Sequence, residues 1–248
     1  MVRFISGSTG DRVISRFVGF GLALFILGIA VGPPLGNLAG HMLSAHMAQH
    51  LILMLVVAPM FAWARPFSLA MALIHPDARG ALAAWDSTAP WRWLMRHIQR
   101  PATAWLLFNG TLLIWHLPAI YRQTHASPWL HVCMPLSFLI AGWLFWSVVL
   151  ETAASRRLGP GRSMLFVLTT AMVSAVPGAL LAFARQPIYG ISSDASLRHG
   201  LTPLADQQLA GLLMWIPMDL MLFGTAAFLF CAWLRESGNT DNLPMDPS

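Results

Sequence analysis

The sequence predicts an all-α, polytopic membrane helix bundle of six transmembrane helices, with N-terminus and C-terminus cytoplasmic and room for a seventh span only within residues 65-100. Three observations predict it. The chain is 56% hydrophobic, only 10% charged and has a mean hydropathy of +0.61 over 248 residues, a balance that no water-soluble surface of this size carries. Six stretches reach the roughly 20 apolar residues that a hydrocarbon core about 30 Å thick demands. All 15 basic residues are Arg, and they gather in the loops beside those stretches.

The first span reads over 17-38, too long and too poorly flanked by small residues for a cleaved signal peptide. The second covers 42-64. Residues 65-100 form the longest connection, where Trp85, Trp91, Trp93, Leu94 and Ile98 mixed with Arg suggest surface-lying helices. Pro66, Pro76 and Pro90 interrupt it too often for another span. Spans three to six read over 102-121, 129-150, 163-184 and 207-234. A single transmembrane domain therefore covers 1-236, followed by a polar, disordered tail at 237-248 with Pro244 and Pro247.

Arg is retained on the cytoplasmic side of short loops, so threading the chain fixes its orientation. With the N-terminus inside, Arg3, Arg12, Arg16, Arg65, Arg79, Arg92, Arg96, Arg100, Arg156, Arg157, Arg162 and Arg235 are cytoplasmic; only Arg122, Arg185 and Arg198 lie outside. These Arg residues flank membrane segments without base-stacking motifs, so the pI near 10.5 implies membrane lipid and no nucleic acid as partner. Cys133 and Cys231 fall near opposite helix ends, too far apart for a disulfide.

Seven of the nine histidines then fall at outer helix ends or in outer loops: His41, His46, His50, His116, His125, His131 and His199. His75 and His97 lie inside. That split alone makes no site; spacing does. Met42, His46, His50 and Met54 repeat every four residues on one face of helix 2, with His46 and His50 about 6 Å apart along the axis. The two imidazoles form a metal-binding arm, since polar groups at membrane depth are costly and mark sites; the methionines read first as packing. Thioether beside imidazole favours copper. His116 and His131 sit at matching depth across a short loop and complete a set of His46, His50, His116 and His131, although both also suit an interfacial aromatic belt.

Secondary candidates are His41, Met42, Met47, His125, Cys133, Met134, His199 and Met214, with Cys133 read first as a small buried thiol. Asp206 and Gln207 open helix 6, where Asp206 serves either as a helix cap or as an acceptor orienting a ligating imidazole. Asp219, past Pro217, is an intramembrane carboxylate and a functional candidate on that ground, or else a protonated or backbone-bonded group at a helix break. No nucleotide-binding loop, HExxH or readable catalytic triad is present, so no enzyme is predicted.

At His46-Met47-x-x-His50, Trp115-His116-Leu117-Pro118-x-x-Tyr121, His131 with Ser137-Phe138-Leu139-x-x-Gly142-x-Leu144-Phe145-Trp146, and Asp206-Gln207-Gln208-x-x-Gly211-x-x-Met214-Trp215, the chain resembles the polytopic CtaG-like cytochrome c oxidase assembly factors. The resemblance implies a multi-pass protein of the bacterial plasma membrane that supplies or handles copper at the outer face. Its implied partners are haem-copper oxidase subunits or a copper chaperone. Members often carry seven spans, and often a second His where Pro135 stands here, with Cys133, Met134 or His125 as substitutes. Two other functions use the same residues: a b-type haem electron-transfer protein with axial histidines, and a metal-free assembly scaffold. Oligomeric state is left open.

Overall fold

The computed structural model describes residues 9–66, 69, 90, 93, 97, 98, 100–155, 158–189 and 194–240. All regular structure among them is helical. Helix α1 (Thr9–Val31) and the short α2 (Leu35–Ala39) lead into α3 (Leu43–Leu51), which continues through a π-helical stretch, Ile52–Val57, into α4 (Ala58–Ala64). Then follow α5 (Pro101–Trp115), α6 (Pro118–Ala126), α7 (Pro128–Ser155), α8 (Pro160–Ala182), α9 (Asp194–Arg198) and α10 (Pro203–Thr240).

Val13–Val31, Leu43–Ala64, Pro128–Glu151, Gly161–Ala182 and Pro203–Arg235 are each long and apolar enough to cross a membrane. The pair Pro101–Trp115 and Pro118–Thr124 qualifies only jointly and is bent by 77°. The chain is a helical membrane protein with, among the described residues, five such helices, or six passages when the bent pair counts as one.

Two expected spans are corrected. The first, 17-38, stops at Val31, because Gly32-Pro33-Pro34 follows and Pro34 has no N–H to give to the carbonyl of Ala30. That carbonyl is satisfied from another helix: Gln49 Nε2 donates to it at 2.8 Å. The third, 102-121, breaks after Trp115. Pro118 clashes with a helical Leu117, whose ψ of 127° is extended, so α6 turns across the end of the bundle.

A third proline acts inside a helix. In an i→i+5 pattern the carbonyl of Met54 looks to residue 59, and residue 59 is Pro. Trp146 Nε1 donates to it from α7 at 2.8 Å. Lipid offers no water to such orphaned groups, so side chains must serve them.

Small residues bring the helices together. A Cβ added to Gly142 on α7 would meet the Ala58 Cβ at 2.9 Å, and one on Gly211 of α10 would meet the carbonyl oxygen of Gly178 on α8 at 2.6 Å. The core so enclosed contains Met47, Met54, Phe108, Phe138, Phe145, Met214 and Met218. Helix α10 runs on to Thr240, four residues beyond the expected boundary at 236. Nearly all of 65-100, and 241–248, lie outside the described residues, and with them the expected surface-lying helices, the seventh span, His75 and most of the tail.

Candidate metal centre

The passages alternate in direction, and their ends meet where the histidines lie. Asp206, one turn into α10, is buried and caps α3 rather than its own helix. Its carboxylate accepts the backbone N–H groups of Leu43 at 2.8 Å and Ser44 at 3.1 Å, and the hydroxyls of Ser44 and Ser196. The negative charge sits on the positive end of the helix dipole. The expected cap is on the helix that Asp206 itself opens; the carboxylate instead caps the neighbouring α3. Its neighbours fasten the 183–189 loop: Gln207 accepts from Ile188 N at 2.6 Å and donates to the Gln186 carbonyl, and Gln208 donates to that of Ala184. That loop carries Tyr189, which packs on Tyr121 with ring centroids 4.5 Å apart. Burial pushes the Tyr189 hydroxyl up from its ordinary value, so it stays protonated and donates to the carbonyl of His116 at 2.9 Å.

His46 and His50, four residues apart on α3, are both buried, with their Nε2 atoms 2.8 Å from each other. His116 arrives from the end of α5. Its Nδ1–H donates to the carbonyl of Leu112 at 2.6 Å. A carbonyl only accepts, so in the neutral ring Nε2 carries a lone pair. That lone pair faces the Sδ of Met47 at 3.3 Å, and a thioether has no hydrogen to offer. Two bare lone pairs oppose one another.

Met47, His50, Met54, His116, Met214 and Met218, closed off by Leu51, Leu112 and Phe138, surround a cavity of about 10 Å³. The Nδ1 of His50 is buried without a hydrogen-bond partner. Buried polar atoms are nearly always paired, so each exception needs a reason. No three His, Cys, Asp or Glu side chains among the described residues group closely enough to hold a metal; any metal-binding capacity at this cage comes from two imidazoles supplemented by thioethers.

The expected residues thus fall into three sets. His50, His116, Met47 and Met214 line the cage, and His46 touches it through His50. His131 and Met134 line instead a separate groove of about 360 Å³, with Gln49 and Leu139. His41 and His199 are exposed, Met42 is buried outside the cage wall, and the side chain of His125 is outside the described set. Cys133 is exposed, correcting the buried-thiol expectation, because that face of α7 also presents Val132 and Leu136 outward. Asp219 accepts Trp215 Nε1–H at 2.7 Å in an unbroken helix, with its other carboxylate oxygen buried and unpartnered. Met54 and Met218 were absent from the expected ligand set; the signal for Met218 is its position one turn beyond Met214.

The chain is 24% identical over 203 residues to uncharacterized proteins of Mycobacterium bovis and Mycobacterium tuberculosis, and 24% identical over 218 residues to one of Mycobacterium leprae. In each case the match covers 79% of this chain but only 30% of the relative, so the chain spans under a third of the length of these relatives. No solved structure matches. The cytochrome c oxidase caa3 assembly factor family, Caa3_CtaG, matches residues 3–236, nearly the whole sequence, and the chain belongs to that family.

Proposed function

We propose that this protein handles copper, as Cu(I), while a haem-copper oxidase is assembled, and that it does so at the outer face of a bacterial plasma membrane. The observation that carries the reading is the His116 Nε2 lone pair facing the Met47 thioether at 3.3 Å in a cage that His50 and three further methionines, Met54, Met214 and Met218, also line. Thioethers select for Cu(I), and imidazole suits copper equally. A cavity of about 10 Å³ has room for about one water-sized atom, which favours an ion over a haem. Copper is cargo here, taken from a chaperone or passed to oxidase subunits. The outer placement rests on the Arg asymmetry.

Anaerobic titration of the purified protein with Cu(I) against a chromogenic chelator tests the proposal. Wild type is expected to bind, with His116→Ala and Met47→Leu each weakening binding by about tenfold or more. Full binding by the double variant would sink the cage. A Soret band in the preparation would favour haem, and a wild type without affinity for Cu(I) would favour a metal-free scaffold.

A further inference from the structure

We infer that His46 is not a copper ligand but the positioning residue that sets the tautomer of His50, so that His50 presents Nδ1 to an ion in the cage. The inference rests on the copper reading of the cage, and it changes the role of a residue that spacing alone pairs with His50 as a two-armed ligand.

The two rings meet edge-on, with centroids 4.2 Å apart and planes at 83°, and the Nε2 atoms are separated by 2.8 Å. Two imidazole nitrogens on one tetrahedral ion, each about 2.0–2.1 Å from it, stand roughly 3.3 Å apart. The observed separation is shorter and is that of a hydrogen bond. One hydrogen therefore lies between the two nitrogens, and a neutral imidazole has only one to give.

If His46 supplies that hydrogen, His50 must carry its own on Nδ1, where it becomes a buried N–H without an acceptor. If His50 supplies it, Nδ1 is a bare lone pair on a residue that lines the cage, beside methionines that also lack hydrogens. The second arrangement leaves no unsatisfied donor on His50, and it gives His50 the same preparation as His116. In each ring one nitrogen donates to a fixed acceptor and the other is left unprotonated, as second-shell partners of metal-bound histidines arrange. His46 itself packs against the ring of Tyr121, centroids 5.3 Å apart, and does not line the cavity.

Two readouts test this. In metal-free protein labelled with 15N-histidine, the His50 signals, identified by their loss in His50→Gln, are expected to show Nε2 protonated and Nδ1 bare. X-ray absorption of the Cu(I)-loaded protein is expected to count two imidazoles in wild type and in His46→Gln, whose amide oxygen accepts the same hydrogen, and one in His50→Gln. Affinity should hold in His46→Gln and fall about tenfold in His46→Leu, which offers no acceptor. Three imidazoles in wild type, the opposite His50 tautomer, or undiminished affinity in His46→Leu would overturn the inference. A wild type that binds no Cu(I) overturns the copper reading instead, and the tautomer measurement still decides what His46 does.

Discussion

At the scale of single residues, Asp206 shows how much of the site depends on a group that never enters it. The carboxylate holds the first turn of α3, at Leu43 and Ser44, four and three residues before Met47, by accepting two backbone N–H groups and two hydroxyls. Asp206→Ala leaves Leu43 N–H and Ser44 N–H without their acceptor and removes a favourable dipole interaction, a loss of about 2 kcal/mol. Thermal unfolding in detergent should show the midpoint falling by several degrees, and Cu(I) affinity should weaken as the start of α3 frays. An Asp206→Ala variant as stable as wild type would mean that the cap contributes nothing. Residue spacing made the His46–His50 contact legible in advance, because i, i+4 neighbours on a helix must meet. It could not choose between His116 and His131 as the next imidazole. Both sit at the right depth, but depth says nothing of how α5 and α7 are rotated about their axes, and rotation puts His116 in the cage and His131 in the neighbouring groove.

At the scale of elements, apolar run length gave the passages and proline decided their ends. Pro34 and Pro118 terminate helices, whereas Pro135, Pro177 and Pro217 lie inside intact ones. Both outcomes are allowed in lipid, where a neighbour can satisfy what a proline leaves bare, so the sequence around one proline does not reveal which occurs. The partner is a tertiary fact. Trp146 illustrates it: its indole serves a carbonyl that the π-helical stretch and Pro59 leave free, and that carbonyl belongs to Met54, a wall of the cage. Trp146→Phe keeps the ring and deletes the donor. The buried, unpaired carbonyl should destabilise the protein by about 1–3 kcal/mol, and relaxation of the π-helical turn should move Met54 and lower Cu(I) affinity. The check is a paired measurement of unfolding midpoint and affinity; a variant unchanged in both would show that the indole–carbonyl bond holds neither.

At the scale of the whole molecule, the sequence motifs are mainly fasteners between helices. Trp115 donates to Ser137, Trp146 to Met54, Gln207 binds the 183–189 loop, and Gly142 and Gly211 let helices close on one another. Only Met47, His50, His116, Phe138 and Met214 from those motifs line the cage. The architecture brings four passages to the cage, which is lined from α3 with the π-helical stretch, the end of α5, α7 and α10, and the side of the membrane proposed for it rests on the number of crossings and the Arg distribution. Counted over the described residues alone, the crossings are six if the bent pair α5–α6 carries the chain across and five if it enters and returns; an even total for the whole chain puts both termini on one side. On the proposed reading, with the six spans expected from the sequence, the Arg asymmetry would put both termini in the cytoplasm and the cage outside. Green fluorescent protein, which matures in the cytoplasm but not after export through the general secretory route, reads this directly when fused in separate proteins before residue 1 and after residue 248. Both fusions should be bright. One bright and one dark, at equal protein levels, would make the number of crossings odd and overturn the expected six. Two dark fusions would keep an even number of crossings, turn the bundle over, and require that Cu(I) reach the cage from the cytoplasm.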